Sequence, residues 1–375
     1  MAQNTISRLS YERLGVLLTD FPAYKENSAV NSLIRVQGID YQFSNVVQDI
    51  KVVGSDRLMT KSGESPVIRQ PDIGCSVNCL FSQAENESLI GLYTGQDYSV
   101  LKNFFDAPST DDTNIIVVAS NESQVTDLNH IDDENQFSGY NVVGIGNAFL
   151  SSYSYDAQVG SLPETSFAYE ASNMKFDTYN PNDLPTMPAI KLGVDNQFSN
   201  EQIALDENSF NESLSELQSS AIAPGNIEID ITKNFGSHGG SPIESIHAAI
   251  QSISIDLPIE RQSIYGFGSN YVFDRKLKLP IIGNVSINMI LREYSEGQVE
   301  EFFDRAATYD LTISHLDKVY TGGSFTTKDN TTVFSIQDAQ LRSQNFSVGI
   351  GDSLIVTSSL IFEVTKDKGL KLYQA

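Results

Sequence analysis

The sequence contains an internal repeat, and this repeat limits the possible folds more than any other feature. Residues 71–74 (PDIG), followed by 76–78 (SVN), recur as 280–283 (PIIG), followed by 286–288 (SIN). Five further pairs of blocks occur in the same order and at similar spacing: 36–43 with 250–257, 54–55 with 268–269, 104–106 with 302–304, 150–155 with 341–346, and 166–170 with 359–363. Because so many collinear matches are not expected by chance, the sequence predicts two copies of one structural unit.

The repeat divides the chain into five parts. The two units span 31–176 and 245–367, and a length of 375 residues is consistent with two domains. An N-terminal arm (1–30) precedes them, an acidic connector (177–244) joins them, and a short C-terminal tail (368–375) follows. The connector is too long for a simple loop, and we predict a helical turn around 213–220 and a strand at 226–232 within it.

The pattern of apolar residues in each unit indicates strands. Residues 251–257 alternate strictly, with Ile253, Ile255 and Leu257 on one face, which is typical of a half-buried strand. Further strands are predicted at 114–119 and 311–314, and each unit closes with two strands joined through Gly160 or Gly351. One helix per unit is predicted, at 97–105 and 297–307, because its apolar residues fall on one face.

The predicted fold class is therefore mainly β. Each unit is expected to be an antiparallel β-sandwich or partial barrel with one flanking α-helix. Two such units would leave sheet edges exposed, and exposed edges aggregate unless they are blocked or paired. A protein that pairs its edges with neighbouring copies builds rings or fibres.

The charge of the chain is strongly negative and unevenly distributed. The formal net charge is −24, and 103–232 contains 21 acidic residues but only two basic ones, both lysines. Such a field opposes binding to DNA phosphates and to anionic membranes. No apolar run of about 18 residues predicts a membrane span. The N-terminus lacks the pattern of a secretory signal, so assembly in the cytosol is expected.

Cysteine and histidine residues show no pattern of a metal site. Cys75 and Cys79 are four residues apart in a predicted strand, which separates them by roughly 13 Å and excludes a disulfide. We interpret them as small packed side chains rather than zinc ligands. His130, His247 and His315 are interpreted as ordinary surface or partly buried histidines.

Sequence motifs of enzymes are also missing. The G-x-G triplets at 144–146, 266–268 and 349–351 lack a third glycine, so we interpret their glycines as turn or bulge residues. No nucleophile elbow, Walker lysine or H-E-x-x-H motif occurs. The acidic clusters at 111–112 and 132–134 are interpreted as solvated surface, with a calcium site as the alternative. We therefore predict no catalytic residues, no metal and no cofactor.

Residues 33–43 (LIRVQGIDYQF) and 66–73 (PVIRQPDI) resemble the major tail tube proteins of tailed bacteriophages. The resemblance covers 33–92, and the second unit is similar to a diverged copy of the same domain. It implies two packed sheets with a flanking helix, and inner sheets that join between neighbouring domains into a barrel around a lumen. A long loop and the terminal arms would contact the next ring.

The resemblance also implies sites and partners. The loops at 55–70 and 269–279 would stack rings, with these candidate contact residues: Arg57, Lys61, Glu64, Arg69, Tyr271, Arg275 and Lys276. We further expect acidic residues to line the lumen, so that DNA slides without binding, with these candidates: Asp111, Asp112, Asp132, Asp133 and Glu134.

The expected assembly is a ring of three chains with pseudo-six-fold symmetry, or alternatively of six chains. Expected partners are other copies of the chain, tail terminator and distal tail or baseplate proteins, and a sheath in a contractile tail. The expected location is the virion tail. Two other functions stay open at this point: a distal tail or tail-terminator ring protein of the same fold, and a β-sandwich adhesin.

Overall fold

A computed structural model describes most of the chain. The described residues are 11–19, 32–34, 36–47, 67–81, 84–106, 112–121, 141–178, 180, 182–183, 185–186, 188, 226–235, 238–242, 248–265, 272–291, 307–316, 318–321, 324–327, 332–347 and 354–374. The fold is mainly β, as predicted. Among these residues, no helix has the length and apolar character needed to cross a membrane.

Strands account for nearly all of the regular structure. The first half of the chain contains β1 (Tyr11–Thr19), β2 (Ser32–Ile34), β3 (Gly38–Val47), β4 (Val67–Leu80), α1 (Glu85–Leu89), α2 (Lys102–Asp106), β5 (Thr113–Asn121), β6 (Asn141–Gln158), β7 (Glu164–Ala171) and β8 (Asn173–Thr178). The second half contains β9 (Ile227–Phe235), β10 (His238–Pro242), β11 (Ala248–Pro258), β12 (Arg261–Tyr265), β13 (Val272–Leu277), β14 (Ile281–Leu291), β15 (Thr308–His315), β16 (Lys318–Thr321), β17 (Ser324–Thr327), β18 (Thr332–Ser347), β19 (Leu354–Val364) and β20 (Leu370–Gln374).

The two halves have the same strand order. In the described part of the chain, sixteen strands form one antiparallel sheet. The first half runs β2-β1-β5-β6-β7-β4-β3, with β8 also on β6, and the second runs β10-β9-β15-β18-β19-β14-β11, with β20 also on β18. Pairing of β11 with β6 joins the halves, while β12-β13 and β16-β17 are separate hairpins.

The strands predicted at 114–119, 226–232, 251–257 and 311–314 are confirmed as β5, β9, β11 and β15. The alternation of apolar and polar residues predicted β11 correctly, because Ile253, Ile255 and Leu257 all face the core. Cys75 and Cys79 lie in β4 as free, buried thiols, as predicted. Burial, with a smaller contribution from a nearby carboxylate in each case, raises the pKa of both to about 12.

Two of the repeat blocks are aligned differently by the strand pairing. Asp40 pairs with Ser76 and Ser254 with Ser286, so Gly283 corresponds to Ile73 rather than to Gly74. Gly283 consequently faces the core and Gly74 the opposite side, because a shift of one residue reverses the face. In the last block, Tyr169 and Leu360 are equivalent, as the strand partners of Leu150 and Leu341, so the predicted match of 166–170 with 359–363 is displaced by two residues.

The sheet extends beyond the predicted boundaries of the units. The predicted arm contains β1, the predicted connector contains β9 and β10, and the predicted tail contains β20. Each of these strands pairs with the sheet, since β1 bonds β5, β9 bonds β15 and β20 bonds β18. The helical turn predicted at 213–220 lies outside the described residues.

The predicted helix at 97–105 is wrong over its first half. Its helical part is α2, five residues long, and α1, of the same length, precedes it. The segment before α2 bonds to the far end of the chain instead: the Gly95 N–H donates to the Leu372 carbonyl (2.7 Å) and the Val100 N–H to the Leu370 carbonyl (2.9 Å). Of the equivalent helix predicted at 297–307, only residue 307 is described, and it is not helical.

The halves share an aromatic cluster in the core. Phe81 and Tyr155 from the first half contact His315 and Phe334 from the second, with ring centroids 4.5 to 5.5 Å apart. His315 is therefore fully buried, and its interpretation as a surface or partly buried histidine was wrong. The cluster packs the two halves together beneath the joined sheet.

Candidate functional surface

Eight neighbouring strands, in the order β3-β4-β7-β6-β11-β14-β19-β18, present one buried face and one polar face. The buried face carries residues such as Val77, Tyr155, Ile255 and Leu360. The opposite face is built from short polar side chains placed opposite one another by the strand pairing. We call it the polar face and define it as Asp40, Gln42, Ser44, Asp72, Gly74, Ser76, Asn78, Ser152, Ser154, Asp156, Gln158, Glu164, Ser166, Ala168, Glu170, Ser252, Ser254, Asp256, Ile282, Asn284, Ser286, Asn288, Ser343, Asn345, Ser347, Thr357, Ser359, Ile361 and Glu363.

Side chains on the polar face bind one another across strands. The Thr357 hydroxyl donates to Oδ1 of Asn288 (2.6 Å), whose amide nitrogen donates to the Ser252 hydroxyl (2.8 Å). The Ser359 hydroxyl likewise donates to Oδ1 of Asn284 (2.6 Å). The face therefore combines neutral hydroxyl and amide groups, some of which bind one another, and its definition includes no cationic donor.

All ionisable side chains in the definition of the polar face are acidic, and one of them, Glu170, is paired with Arg275 from outside the definition. No residue in its definition is a lysine or arginine, whereas seven are acidic: Asp40, Asp72, Asp156, Glu164, Glu170, Asp256 and Glu363. Asp156 lies where the two halves join, and burial, together with the nearby charges of Asp256 and Glu164, raises the pKa of its carboxyl group. In the part of the chain that the structure describes, no three potential ligands are placed to hold a metal ion.

The predicted acidic lumen residues do not lie on this face where they can be located. Asp112 precedes β5, which is not one of the eight strands, and its carboxylate accepts a hydrogen bond from the Asn147 amide (2.9 Å). The others, Asp111, Asp132, Asp133 and Glu134, lie outside the described residues. The polar face carries other acids on alternating strand positions, and three of them, Asp156, Glu164 and Glu170, lie within the acidic stretch 103–232.

The predicted stacking loops are partly strand. Residues 67–70 belong to β4 and 272–277 to β13, so the loop predictions are wrong there. Arg69 pairs with Val46 in the sheet. Lys276 is exposed on β13, while Arg57, Lys61, Glu64 and Tyr271 lie outside the described residues.

Arg275 was predicted as a candidate contact between rings, but in the structure it is buried and makes its contacts within the chain. Its guanidinium is buried and donates to a carboxylate oxygen of Glu170 in the first half. Arg261, on the paired strand β12, donates from Nε to the Leu150 carbonyl (3.3 Å). Both guanidinium groups also lie within 6 Å of the Phe149 ring centre. The hairpin β12-β13 therefore packs on the first half.

A matched pair of bulges was missed in the sequence. Asn147 in β6 and Asp338 in β18 have positive φ angles of 52° and 56°. The N–H of Asn147 donates to Oδ1 of Asn114 (3.1 Å), and the N–H of Asp338 donates to Oδ1 of Asp310 (2.9 Å). Asn and Asp adopt this conformation more readily than most residues. The signal was present, because 145–152 (IGNAFLSS) and 336–343 (IQDAQLRS) share the pattern I-x-[N/D]-A-x-L-x-S.

Comparisons with protein families and with curated proteins identify no relative. No protein family matches the sequence, and no curated protein matches it.

Proposed function

We propose that this chain is a structural subunit that assembles with copies of itself into stacked rings, forming the tail tube of a bacteriophage through which DNA passes. The observation that carries the proposal is the polar face, a wide sheet surface with no basic residue in its definition and seven carboxylates, of which Glu170 is paired with Arg275. We assign this face to the lumen of the tube.

The physical reason is the requirement that DNA slides without binding. Each phosphate that a lysine or arginine neutralises releases counterions and adds to affinity, so a wall without cations gains no such affinity. Carboxylates on the wall repel the phosphates. The hydroxyl and amide groups of the face are neutral, and some bind one another, as Thr357, Asn288 and Ser252 do, so they lack the attraction of a cationic donor for phosphate oxygens.

The identical strand order and the matched bulges support a duplicated domain. We infer that each half occupies one of six equivalent positions, so that three chains form a ring of pseudo-six-fold symmetry. A ring of six chains, with one half inside and the other outside, is the alternative. In either arrangement the proposed partners are other copies of the chain, with terminator and distal tail proteins at the ends of the tube and a sheath in a contractile tail.

Electron microscopy of the purified protein tests the proposal directly. We expect rings or tubes with a central channel, and a map of the tube should place Ser and Asn side chains of β11, β14 and β19 on the channel wall. Protein that stays monomeric under all conditions, or a channel lined mainly by lysine and arginine, would contradict it.

A further inference from the structure

The junction between the halves is a complete strand pairing within one chain. Strand β11 pairs on one edge with β14 and on the other with the second part of β6. In this junction Ser254 lies opposite Asp156 on the polar face. Ile255 lies opposite Tyr155 on the other face, and both of these side chains are fully buried.

The chain carries a second copy of each of these two edges. Strand β3 is equivalent to β11, because Asp40 pairs with Ser76 as Ser254 pairs with Ser286. The second part of β18 is equivalent to that of β6, because both strands have the same bulge, before Ser152 and before Ser343. Among the described strands, β3 pairs only with β4, and 343–347 pairs only with β19.

The exposure of these second copies differs from that of the inner junction. Phe43 is 59% exposed, whereas its equivalent Leu257 is buried. Phe346 is 49% exposed, whereas its equivalent Tyr155 is buried. Large apolar side chains that are exposed on the edge strand of a sheet favour association with another strand.

We propose that β3 of one copy of the chain pairs antiparallel with residues 343–347 of β18 in a second copy, repeating the inner junction between molecules. The equivalences fix the register: Asp40 lies opposite Ser347, Gln42 opposite Asn345, and Ser44 opposite Ser343. This register brings no two like charges opposite each other. The inference takes its partner, a second copy, from the proposed function and names the edges that meet.

Pairing of this kind continues the polar face from one molecule to the next. The two edges are at opposite ends of the eight strands, with six strands between them. The contact is therefore head to tail, and such contacts generate closed rings or open filaments.

Paired cysteines test the register. Residues directly opposite in antiparallel strands have Cα atoms about 4.5–5.5 Å apart, which suits a disulfide. The variant Asp40→Cys with Ser347→Cys should give a ladder of disulfide-linked dimers and larger species on a non-reducing gel after mild oxidation. The native cysteines are buried, and the two single variants control for any contribution from them.

Two further variants serve as matched controls. Ser254→Cys with Asp156→Cys is the same pair at the inner junction, and it should form a bond within one chain, without a ladder. Tyr41→Cys with Ser347→Cys places the cysteines on opposite faces of the proposed pairing and should give no ladder.

The outcomes separate this inference from the proposed function. A ladder only in the Asp40/Ser347 variant supports the register. Rings or tubes in the microscope without a ladder, or a ladder of equal strength in the Tyr41/Ser347 variant, overturn the register and leave the tube proposal standing. A disulfide between the two introduced cysteines of a single chain would also overturn the register. If the variant gives no ladder and the protein forms no assembly, both the register and the tube proposal are overturned.

Discussion

The Tyr155 hydroxyl lies 2.6 Å from Nε2 of His315, so a hydrogen bond joins the two halves of the chain inside the core. The other ring nitrogen, Nδ1, lies 3.2 Å from the Thr332 carbonyl oxygen. Burial lowers the pKa of His315 to about 4, so the imidazole is neutral at neutral pH and carries one proton. A carbonyl oxygen only accepts, so that proton is on Nδ1 and Nε2 accepts from the Tyr155 hydroxyl.

Removal of the tyrosine hydroxyl should weaken the connection between the halves. Tyr155→Phe leaves Nε2 of His315 buried without its donor, which should lower the free energy of unfolding by about 1–3 kcal/mol. Urea unfolding at neutral pH measures the change. Tyr98→Phe, a partly exposed position, is the control and should change the stability little. Equal losses in both variants would contradict the assigned role.

The buried histidine should also make stability depend on pH. Its folded-state pKa lies below the ordinary value of 6.5, so the stabilisation is complete above about pH 6.5 and is lost as the pH falls towards 4. The loss should approach about 3 kcal/mol for a pKa difference of this size. A His315→Gln variant should show a smaller loss than the unmodified protein between pH 6.5 and 4 in urea unfolding. If the unfolding free energies of the variant and of the unmodified protein fell equally between pH 6.5 and 4, the prediction would be wrong.

Glu87 should act with the opposite sign. Its carboxyl group is fully buried, accepts a hydrogen bond from Tyr153 (3.4 Å), and burial raises its pKa to about 7. Because the folded-state pKa is raised, the stabilisation is present below about pH 4.5 and is lost as the pH rises through 7. Glu87→Gln should therefore raise the unfolding free energy at pH 8, by up to about 3 kcal/mol, relative to its effect at pH 4. A variant with the same effect at both pH values would refute the assignment.

The two glycines of the repeated block should respond differently to substitution. A Cβ atom at Gly283 would overlap the Phe362 ring, whereas one at Gly74 would lie 3.5 Å from the nearest atom, in the Gln42 side chain. Gly283→Ala should therefore destabilise the protein by about 1–3 kcal/mol, the usual cost of overpacking. Gly74→Ala is the matched control and should be close to neutral. Thermal unfolding measures the stability of the two variants. Similar losses in both would contradict the placement of the two glycines on opposite faces of the sheet.

New cations on the polar face should create DNA affinity. Ser286, Ser359 and Ser343 lie in one row across β14, β19 and β18. The variant with lysine at all three positions should bind duplex DNA, and a plot of log K against log salt concentration should have a slope of up to about −2.7. A second triple variant has lysines at the exposed positions Thr178, Asn180 and Asn182, outside the polar face. Fluorescence anisotropy compares the DNA affinity of the two variants. The measurement uses assembled tubes of confirmed morphology and DNA short enough to enter them. Stronger binding by the second variant would oppose the assignment of the polar face to the lumen.

Local patterns predicted the strands well, because alternation in 251–257 records which side of β11 is buried. They failed where the deciding partner is distant in sequence. Residues 95–100 do not form a helix, since their backbone bonds to β20. Arg275 has the character of a surface residue until Glu170, 105 residues earlier, is placed beside it. The polar face depends on the order of eight strands, which no single strand reveals.

The β6-β11 junction has a consequence for how quickly an assembly can form. Since both strands belong to one molecule, this junction closes during folding at the high effective concentration of a tethered pair, independent of protein concentration. In the proposed ring of three chains, only the remaining three junctions require molecules to meet. Ring formation should then be third order in protein at low concentration, whereas six separate domains would require sixth order.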